Sequence, residues 1–458
     1  MTARRVHAGT IPEPVLSLCK AIRDGGYRAW VVGGSLRDLL MRRDPKDWDL
    51  ATSATPEQIT ALFRRVIPTG IEHGTVTVLW HGEPYEVTTL RGEGGYSDGR
   101  RPDHVYFIDD IEQDLARRDF TVNALAYDTV DDRLIDPFGG LNDMDAGLLR
   151  TVGSAEERFA EDGLRVLRAA RFVAVLEFDI ERHTRNGITS SLESFRKVSP
   201  ERVRDEWLKT FAARVPSRGF ELMRDTGILA ITYPELMDQV GCEQNRYHAY
   251  DVWGHTMACM DACEQGPIHR LAGLLHDVGK PKTRELSDKT GDYTFYNHEV
   301  VGARMAEGWL KRYRFSNDER QQVVHLVRHH LVCYEDSWSD AAVRRFIKRV
   351  GLDRVPALLA LARADVLAKG REVGEELAAL ERLQARVDSA VDQGAAFGVR
   401  DLAIGGTDVM KRLGVPPGPI IGDVLEKLLV RVLDDPALNE RDRLLDAVDE
   451  IGQEMHRS

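Results

Sequence analysis

The sequence is poor in cysteine, and the thiols it does have are scattered. Five cysteines among 458 residues, an odd number, form no disulfide framework of the kind found in small secreted proteins. Cys259 and Cys263 stand four residues apart, but a zinc site would need two further ligands at suitable spacing. We therefore expect ordinary reduced thiols in the core or on the surface.

Long apolar runs are also missing. No stretch of about 18 apolar residues occurs, and the segment from Met1 to Arg5 lacks the apolar core of a secretory signal. No internal repeat or long Pro/Ser linker interrupts the chain. The sequence therefore predicts a folded cytoplasmic protein without membrane contact, and 43% hydrophobic and 30% charged residues agree with a globular fold.

Positive charge is in deficit. With 62 Lys and Arg against 74 Asp and Glu, the net charge is -12, which is the wrong sign for binding nucleic acid through the overall field. Any RNA must therefore meet a local basic surface. The candidates are the arginine pairs at 42–43, 64–65, 100–101 and 117–118 and the row Arg165, Arg168 and Arg171.

The apolar pattern divides the chain into a mixed front part and a helical remainder. Short β-rich runs alternate with helices up to about Asp136, with Ala29–Val32 as a buried strand and a hairpin over 74–90. Beyond Ser154 only a short hairpin near 284–295 interrupts the helices. The prediction is an α+β protein in which a small mixed sheet precedes all-α regions, with parts at 1–149, 150–235, 236–370 and 371–458.

A glycine pair follows the first predicted strand. Gly33 and Gly34 allow a tight turn with bare backbone N–H groups, and Ser35 is expected to cap a helix that begins near Leu36. A helix N-terminus reached through glycines attracts phosphate. Both glycines and Arg37 are therefore candidate nucleotide-binding residues.

Three carboxylates follow this turn. Asp47 and Asp49 are two apart in the next predicted strand, so they share a face at about 6–7 Å between Cα atoms and can hold Mg²⁺. Glu86 offers a third carboxylate, or alternatively a cross-strand partner for an arginine. An isolated Asp-x-Asp pair is more often a solvated edge, but its position after a strand, a glycine turn and a helix favours two-metal nucleotidyl transfer.

The segment after Leu90 supplies further polar groups. Residues 92–102 are glycine-rich and charged, which predicts a mobile loop that closes over the site. Further downstream, polar side chains recur beside an apolar helix face and are placed to contact ribose hydroxyls and a triphosphate. The nucleotide-binding candidates here are Arg91, Arg118, Asp119 and Asn123.

The helix predicted over 161–172 carries a row of charge. Asp162, Arg165, Arg168 and Arg171 are spaced by three and so form one stripe. A carboxylate accepts from an exocyclic amine and an arginine donates to a ring nitrogen or carbonyl, so Asp162 with Arg165 can read cytosine or adenine and reject uracil and guanine. Such an edge is worth about 1–3 kcal/mol of discrimination. The alternative is a surface ion pair worth a few tenths of a kcal/mol.

Together these segments resemble the bacterial type of tRNA nucleotidyltransferase, the CCA-adding enzymes and their poly(A) polymerase relatives. The likeness covers essentially the whole chain, since 404–410 and 416–422 also resemble that family's C-terminal region. The resemblance implies a polymerase-β-like head, then neck, body and tail helices, with Mg²⁺ on Asp47 and Asp49. It implies tRNA, CTP and ATP as partners. The residues with implied nucleotide contacts are Arg117, Arg118, Asp119, Asn123, Asp162 and Arg165.

A second set of residues resembles another superfamily. His255, His276, Asp277 and Asp365 follow the order His, His-Asp, Asp of the HD phosphohydrolases, and 274–281 resembles that motif closely. Imidazoles and carboxylates on packed helices suit a divalent transition metal. The resemblance implies phosphatase or cyclic phosphodiesterase activity on nucleotide or RNA ends. The histidines expected to widen this to a two-metal site are His298, His329 and His330.

The combined expectation is an enzyme that adds CMP and AMP to the tRNA 3′ end and releases pyrophosphate. Residues 70–76 look like the CCA type rather than the Gly-Arg-Arg-Phe type of poly(A) polymerases, and the full-length loop at 92–102 disfavours CC-only addition. A-only addition and the oligomeric state stay open. The rival from another class is an HD phosphohydrolase whose head is a nucleic-acid-binding module.

Overall fold

A computed structural model describes residues 8–45, 47–71, 74–94, 104–264 and 266–457. Contacts between Cα atoms divide the chain into two compact units, one up to Pro234 and one from Glu235. The predicted four-part division is finer than this and stays a prediction. Of the predicted mobile loop, 95–102 lies outside the described residues, as do Glu72 and His73 in the segment compared with poly(A) polymerases.

The first unit is built on a mixed sheet. Its strands are β1 (Ala29–Val32), β2 (Asp49–Thr52), β3 (Val66–Gly70), β4 (Thr75–Trp80), β5 (Glu83–Thr89), β6 (Arg91–Gly94), β7 (His104–Phe107), β8 (Ala126–Asp128), β9 (Arg133–Ile135), β10 (Leu148–Leu149) and β11 (Asp179–Ile180). Seven of them form one sheet in the order β3-β4-β5-β2-β1-β8-β9. Within this sheet, as far as the described residues show it, β2 and β5 are the one parallel pair, so the small mixed sheet that the sequence predicts is confirmed.

The centre of this sheet explains the most apolar strand. All four residues of β1 are buried, because β2 and β8 flank it and both of its faces are covered. A strand covered on both faces reads as a continuous apolar run. The predicted hairpin is also confirmed as β4 and β5, whereas β11, which pairs in parallel with β10, has too short a run to be recognised.

Helices surround and follow the sheet of the first unit. They are α1 (Glu13–Asp24), α2 (Gly34–Leu40), α3 (Pro56–Leu62), α4 (Ile111–Ala116), α5 (Gly140–Ala146), α6 (Ala155–Glu161), α7 (Leu164–Leu176), α8 (Arg182–Ser190), α9 (Leu192–Phe195), α10 (Pro200–Phe211), α11 (Ser217–Thr226) and α12 (Ile228–Thr232), and α13 (Pro234–Met237) lies at the division. Trp207 of α10 packs edge-to-face against Phe220 of α11, with ring centroids 5.0 Å apart.

Two local predictions in the first unit are wrong. Ser35 does not cap α2: its hydroxyl donates to the carbonyl of Val32 at 3.2 Å, and the helix already begins at Gly34 because Gly33 makes the turn. Asp47 is not in a strand. The chain leaves β1 after Val32, whose register partner is Asp49, so Asp47 has no strand residue to pair with and lies in the preceding bend.

The regular structure described in the second unit is helical except for one hairpin. Its helices are α14 (Val252–Ala262), α15 (Pro267–Leu275), α16 (Lys280–Thr283), α17 (His298–Arg312), α18 (Asn317–His329), α19 (Asp340–Val350), α20 (Val355–Leu367), α21 (Gly374–Asp392), α22 (Gly406–Leu413), α23 (Pro419–Asp434) and α24 (Arg441–Arg457). The predicted hairpin is confirmed as β12 (Glu285–Leu286) and β13 (Tyr293–Thr294). Among the described residues, no helix combines the length and apolarity needed to cross a membrane.

Candidate active sites

The glycine turn of the first unit lies against the Asp49 carboxylate. Gly33 has φ +80°, and a Cβ there would stand 3.1 Å from an Asp49 carboxylate oxygen and 3.4 Å from an Arg118 guanidinium nitrogen. Only glycine adopts this conformation without strain and leaves that space open. The turn after β1 thus positions backbone beside a carboxylate and a cation.

The three predicted carboxylates lie together. Asp49 is the register partner of Glu86 across the parallel pair of β2 and β5. Burial raises the pKa of Asp49 to about 6, and the charges of Glu86 and Asp47 add to this, while Arg118 opposes it. Asp47 and Glu86 are exposed. Among the described residues no arginine or lysine pairs with Glu86, so this set of oxygens suits a hard divalent cation.

The adjoining cavity is strongly basic, although the whole chain is acidic. It has a volume of about 530 Å³, and seven arginines but only three aspartates line it. Such a concentration of guanidinium groups suits a triphosphate. The predicted residues that line it are Gly33, Gly34, Arg37, Asp49, Arg117, Arg118, Asp119, Asn123, Asp162, Arg165, Arg168 and Arg171.

One predicted nucleotide-binding residue stands apart. Among the described residues that line this cavity, Arg91 is not included. Its backbone N–H faces the Asp114 carboxylate at 3.4 Å, and the same carboxylate pairs with Arg117 at 2.8 Å and Arg118 at 3.4 Å. Asp114 therefore anchors the two arginines that face the cavity.

The carboxylate of Asp119 is fully engaged inside the protein. One oxygen accepts from the Phe120 N–H at 2.9 Å and the Asn123 amide at 3.0 Å, and the other accepts from Arg168 at 2.6 and 2.9 Å. A carboxylate offers about four acceptor sites. Burial disfavours its charge, but Arg168 and Asn123 hold the pKa of Asp119 far below its usual range. Asp119 thus orients two neighbours, and a ribose hydroxyl would have to displace one of them.

Phe172 organises the arginines that line the cavity. The guanidinium carbons of Arg171, Arg37 and Arg168 lie 4.1, 5.3 and 5.4 Å from the centre of its ring. Cations are attracted to the face of an aromatic ring at such distances. The aromatic ring therefore helps to hold three like charges near each other at the cavity.

The predicted helix over 161–172 is broken where nucleotide selection was expected. Helix α6 ends at Glu161, Asp162 has extended backbone, and α7 begins at Leu164. A Cβ on Gly163 would stand 2.4 Å from the carbonyl oxygen of Ser194, so the turn requires glycine for this close approach. The single stripe of charge is therefore wrong for Asp162, which lies in the turn and not on the helix.

Asp162 and Arg165 line the same cavity but do not pair with each other. Asp162 accepts from Arg202 at 2.6 Å and from the Leu164 N–H at 3.0 Å. Arg165 donates to Glu161 at 2.5 Å and to the carbonyl of Arg117 at 3.1 Å. Both side chains are thus fixed by other partners, so the alternative of an i, i+3 ion pair between them does not hold.

Sequence reasoning missed the residues that hold this row in place. Arg202 binds Asp162, and Glu206 binds Arg171 at 2.6 Å, both from α10. Their spacing of four in a helix was the available signal, but it is ordinary for a solvated face. Only the packing of α10 against α7 gives them a role.

The second unit gathers the predicted HD residues into one buried cluster. The Nε2 atom of His255 lies 2.9 Å from an Asp365 oxygen, and that of His276 lies 3.1 Å from Asp277. On the other Asp277 oxygen, His298 stands at 3.4 Å. His330 joins it there at 3.7 Å, whereas the predicted His329 contacts the ring of His325 instead and takes no part.

The four imidazoles present the same atom to the cluster. Each Nδ1 faces a backbone carbonyl, at 3.2 Å in His255, 2.7 Å in His276 and His298, and 2.8 Å in His330. A donated Nδ1 proton leaves the Nε2 lone pair free to bind a metal. This common orientation toward two carboxylates fits a divalent metal, and the described residues form two such ligand groups that share Asp277.

The protonation pattern of this cluster reflects its crowding. Burial disfavours charge on His276, but Asp277 and Asp365 raise its pKa to about 9. For His330 burial and the neighbouring His276 lower the pKa to about 3. Lys280, which sequence reasoning missed, places its ammonium 2.6 Å from Asp277. The cluster opens into a cavity of about 540 Å³.

Three family models match separate parts of the chain. Residues 29–150 match the poly A polymerase head domain, 177–239 match the probable RNA and SrmB-binding site of polymerase A, and 248–370 match the HD domain. The head and HD matches contain the two carboxylate clusters described above. Both kinds of domain imply dependence on divalent metal.

Several relatives of this chain are CCA-adding enzymes. The CCA-adding enzyme of Lactiplantibacillus plantarum is 34% identical over 94% of both chains. That of Lactobacillus johnsonii is 51% identical over 46% of this chain, and this match spans about half, 53%, of the relative's length. The crystal structure of the Bacillus stearothermophilus CCA-adding enzyme in complex with CTP superposes with a TM-score of 0.75 at 27% identity, covering 98% of this chain and all of that one. The chain belongs to the family of CCA-adding enzymes.

Proposed function

We propose that this chain adds CMP and AMP, taken from CTP and ATP, to the 3′ end of tRNA and releases pyrophosphate. The observation that carries the proposal is the single cavity that joins Asp49, the glycine turn and the selecting pair Asp162 and Arg165. The structural relative from Bacillus stearothermophilus is a complex with CTP, which supports the same ligand here.

Each part of the cavity has a role in the proposed reaction. The arginines bind the triphosphate, and Asp162 with Arg165 accepts and donates at the Watson–Crick edge of the incoming base. In this proposal Asp47, Asp49 and Glu86 would hold Mg²⁺. When bound, Mg²⁺ supplies Lewis acidity for the attacking 3′-hydroxyl and the leaving pyrophosphate. No side chain is required as a general base.

The test uses the full chain with Mg²⁺ and three tRNAs, lacking all three terminal nucleotides, lacking only the last, or complete. CTP and ATP are supplied separately and together, and product lengths are read on a gel. On the tRNA that lacks all three terminal nucleotides, CCA addition predicts growth by two nucleotides with CTP alone and by three with CTP and ATP together. A-only addition predicts growth by one nucleotide on the tRNA that lacks only the last nucleotide. CC-only addition predicts a stop after two added nucleotides, and poly(A) synthesis predicts a long ladder of products.

The rival function is separated by one substitution. Asp49→Ala is expected to abolish incorporation while leaving phosphate-ester hydrolysis intact. Asp24→Ala is the control, because Asp24 pairs with Lys20 on the surface of the same unit, with 64% of its side chain exposed. If Asp49→Ala leaves the main activity unaffected, the chain is instead a phosphohydrolase with a nucleic-acid-binding head.

We also propose that the second unit hydrolyses phosphate esters on nucleotide or RNA ends. Four Nε2 atoms directed at Asp277 and Asp365 support this proposal. A divalent transition metal would supply the Lewis acidity for attack on phosphorus. Release of phosphate from a nucleoside monophosphate tests it, with Asp277→Asn expected to remove both this activity and the bound metal.

A further inference from the structure

The cavity of the second unit has an aromatic rim. Tyr293, Tyr296 and Tyr334 line the cavity that contains Asp277. Tyr296 is 76% exposed, and among the described residues no ring contact or hydrogen bond holds its side chain. A single exposed apolar side chain is ordinary, but an exposed aromatic group at the edge of a cavity is suited to contact a ligand. Three tyrosines at one cavity therefore form a candidate binding surface.

Further exposed tyrosines continue the rim outside the cavity. Tyr250 is 48% exposed, and its ring lies against Gly370, where a Cβ would stand 2.4 Å from it, beside the cavity residue Lys369. Tyr247 is 62% exposed and follows Arg246, whose guanidinium pairs with Asp292 at 3.1 Å next to Tyr293. Aromatic surface thus extends beyond the space that the cavity encloses.

Charge inside the cavity suits a phosphate. The Lys280 ammonium, 2.6 Å from Asp277, stands at the ligand cluster, and Lys369 pairs at 2.9 Å with Glu376 near the mouth. A volume of about 540 Å³ is in the range of sites for one small ligand, so it suits one nucleotide and not a folded macromolecule. A free mononucleotide would make no use of the tyrosines outside.

We propose that this cavity takes the phosphate-bearing 3′ end of a single-stranded RNA, with Tyr296 stacked on the base next to the terminal nucleotide. The proposal rests on the phosphohydrolase function and names its substrate class. Water attacks the terminal phosphorus, the bond from phosphorus to the ribose oxygen breaks, and that oxygen takes a proton, which leaves a free hydroxyl and inorganic phosphate. Exposed aromatic platforms bind successive bases of single strands with little sequence preference.

The test compares two substrates on the full chain with Mg²⁺, Mn²⁺, Co²⁺ or Ni²⁺. One is 3′-AMP and the other is a hexaribonucleotide that ends in the same nucleotide with a 3′-phosphate. From the worth of one stacked base we expect kcat/KM to favour the hexanucleotide by about 5- to 100-fold. Tyr296→Ala should remove most of that preference, and Tyr296→Phe should retain it.

Leu286→Ala is the matched control, because Leu286 is 62% exposed in the same unit and does not line the cavity. Equal kcat/KM for both substrates in the unmodified chain, or an undiminished preference in Tyr296→Ala, overturns the proposal. If neither substrate is hydrolysed, the phosphohydrolase function fails separately. Affinity for a fluorescent hexanucleotide then decides: at least fivefold weaker binding by Tyr296→Ala than by Leu286→Ala supports the platform, and equal affinities overturn it.

Discussion

Removing the Asp119 carboxylate should strongly destabilise the first unit. Asp119→Ala leaves Arg168 without its counter-charge and leaves the Phe120 N–H and the Asn123 amide without an acceptor. Breaking a buried ion pair from one side costs about 3–5 kcal/mol. The Asp119 side chain is 8% exposed but that of Arg168 is 31% exposed, so water can solvate the unpaired Arg168 in part. The total loss of unfolding free energy, including the two unpaired N–H donors, therefore stays in this range.

The assay is hydrogen exchange of the α7 amides together with urea unfolding. Asp179→Ala is the control, since Asp179 pairs with Arg218 at 2.9 Å in the same unit but is 86% exposed. Such a surface pair is worth about 0–1 kcal/mol. A free-energy change in Asp119→Ala no larger than that in Asp179→Ala would refute the view that this carboxylate anchors the cavity.

The pH dependence of the same comparison has a definite sign. The folded pKa of Asp119 is depressed, chiefly by Arg168 against the effect of burial, so its contribution is present above the unfolded pKa of about 3.9. That contribution is lost as the pH falls from there toward the folded pKa. The difference between the unmodified chain and Asp119→Ala should therefore be constant near neutral pH and shrink only in acid.

Three further outcomes are expected. Asp49→Asn should reduce nucleotide incorporation into tRNA, read as product length on a gel. The loss should exceed the roughly 10- to 100-fold that removing a group hydrogen-bonded to a metal ligand costs. Activity within tenfold of the unmodified chain would contradict the role of Asp49. His298→Gln should lower the divalent metal content found by mass spectrometry, and unchanged stoichiometry would exclude it as a ligand. Gly140→Ala, whose Cβ would meet the Thr121 carbonyl oxygen at 2.3 Å, should lower the melting temperature, whereas Gly308→Ala, on an open face of α17, should raise it by adding helix propensity; equal shifts would contradict the steric reason.

Local signals predicted much of the first unit correctly. The apolar run of β1 is such a signal, because it depends only on neighbours in sequence. The break at Asp162 was not predictable in this way. It depends on how closely Gly163 approaches Ser194, some thirty residues away, and the local charge pattern alone favoured one continuous helix.

Long-range partners also decided which charges are available. Asp119 and Asn123 line the cavity, but the sequence gives no sign that Arg168, 49 residues away, occupies one oxygen of Asp119. In the second unit the order of histidines and aspartates was sufficient for the main cluster. It could not separate His329 from His330, because adjacent residues at a helix end point in different directions.

Three of the clustered imidazoles are steered by a carbonyl three residues earlier in their own segment: Gly273 for His276, Phe295 for His298 and Val327 for His330. Each of these imidazoles is therefore oriented by a short stretch of its own main chain and needs no distant side chain for this. Substitutions of side chains at the rim of the cavity therefore leave the orientation of these three imidazoles unchanged.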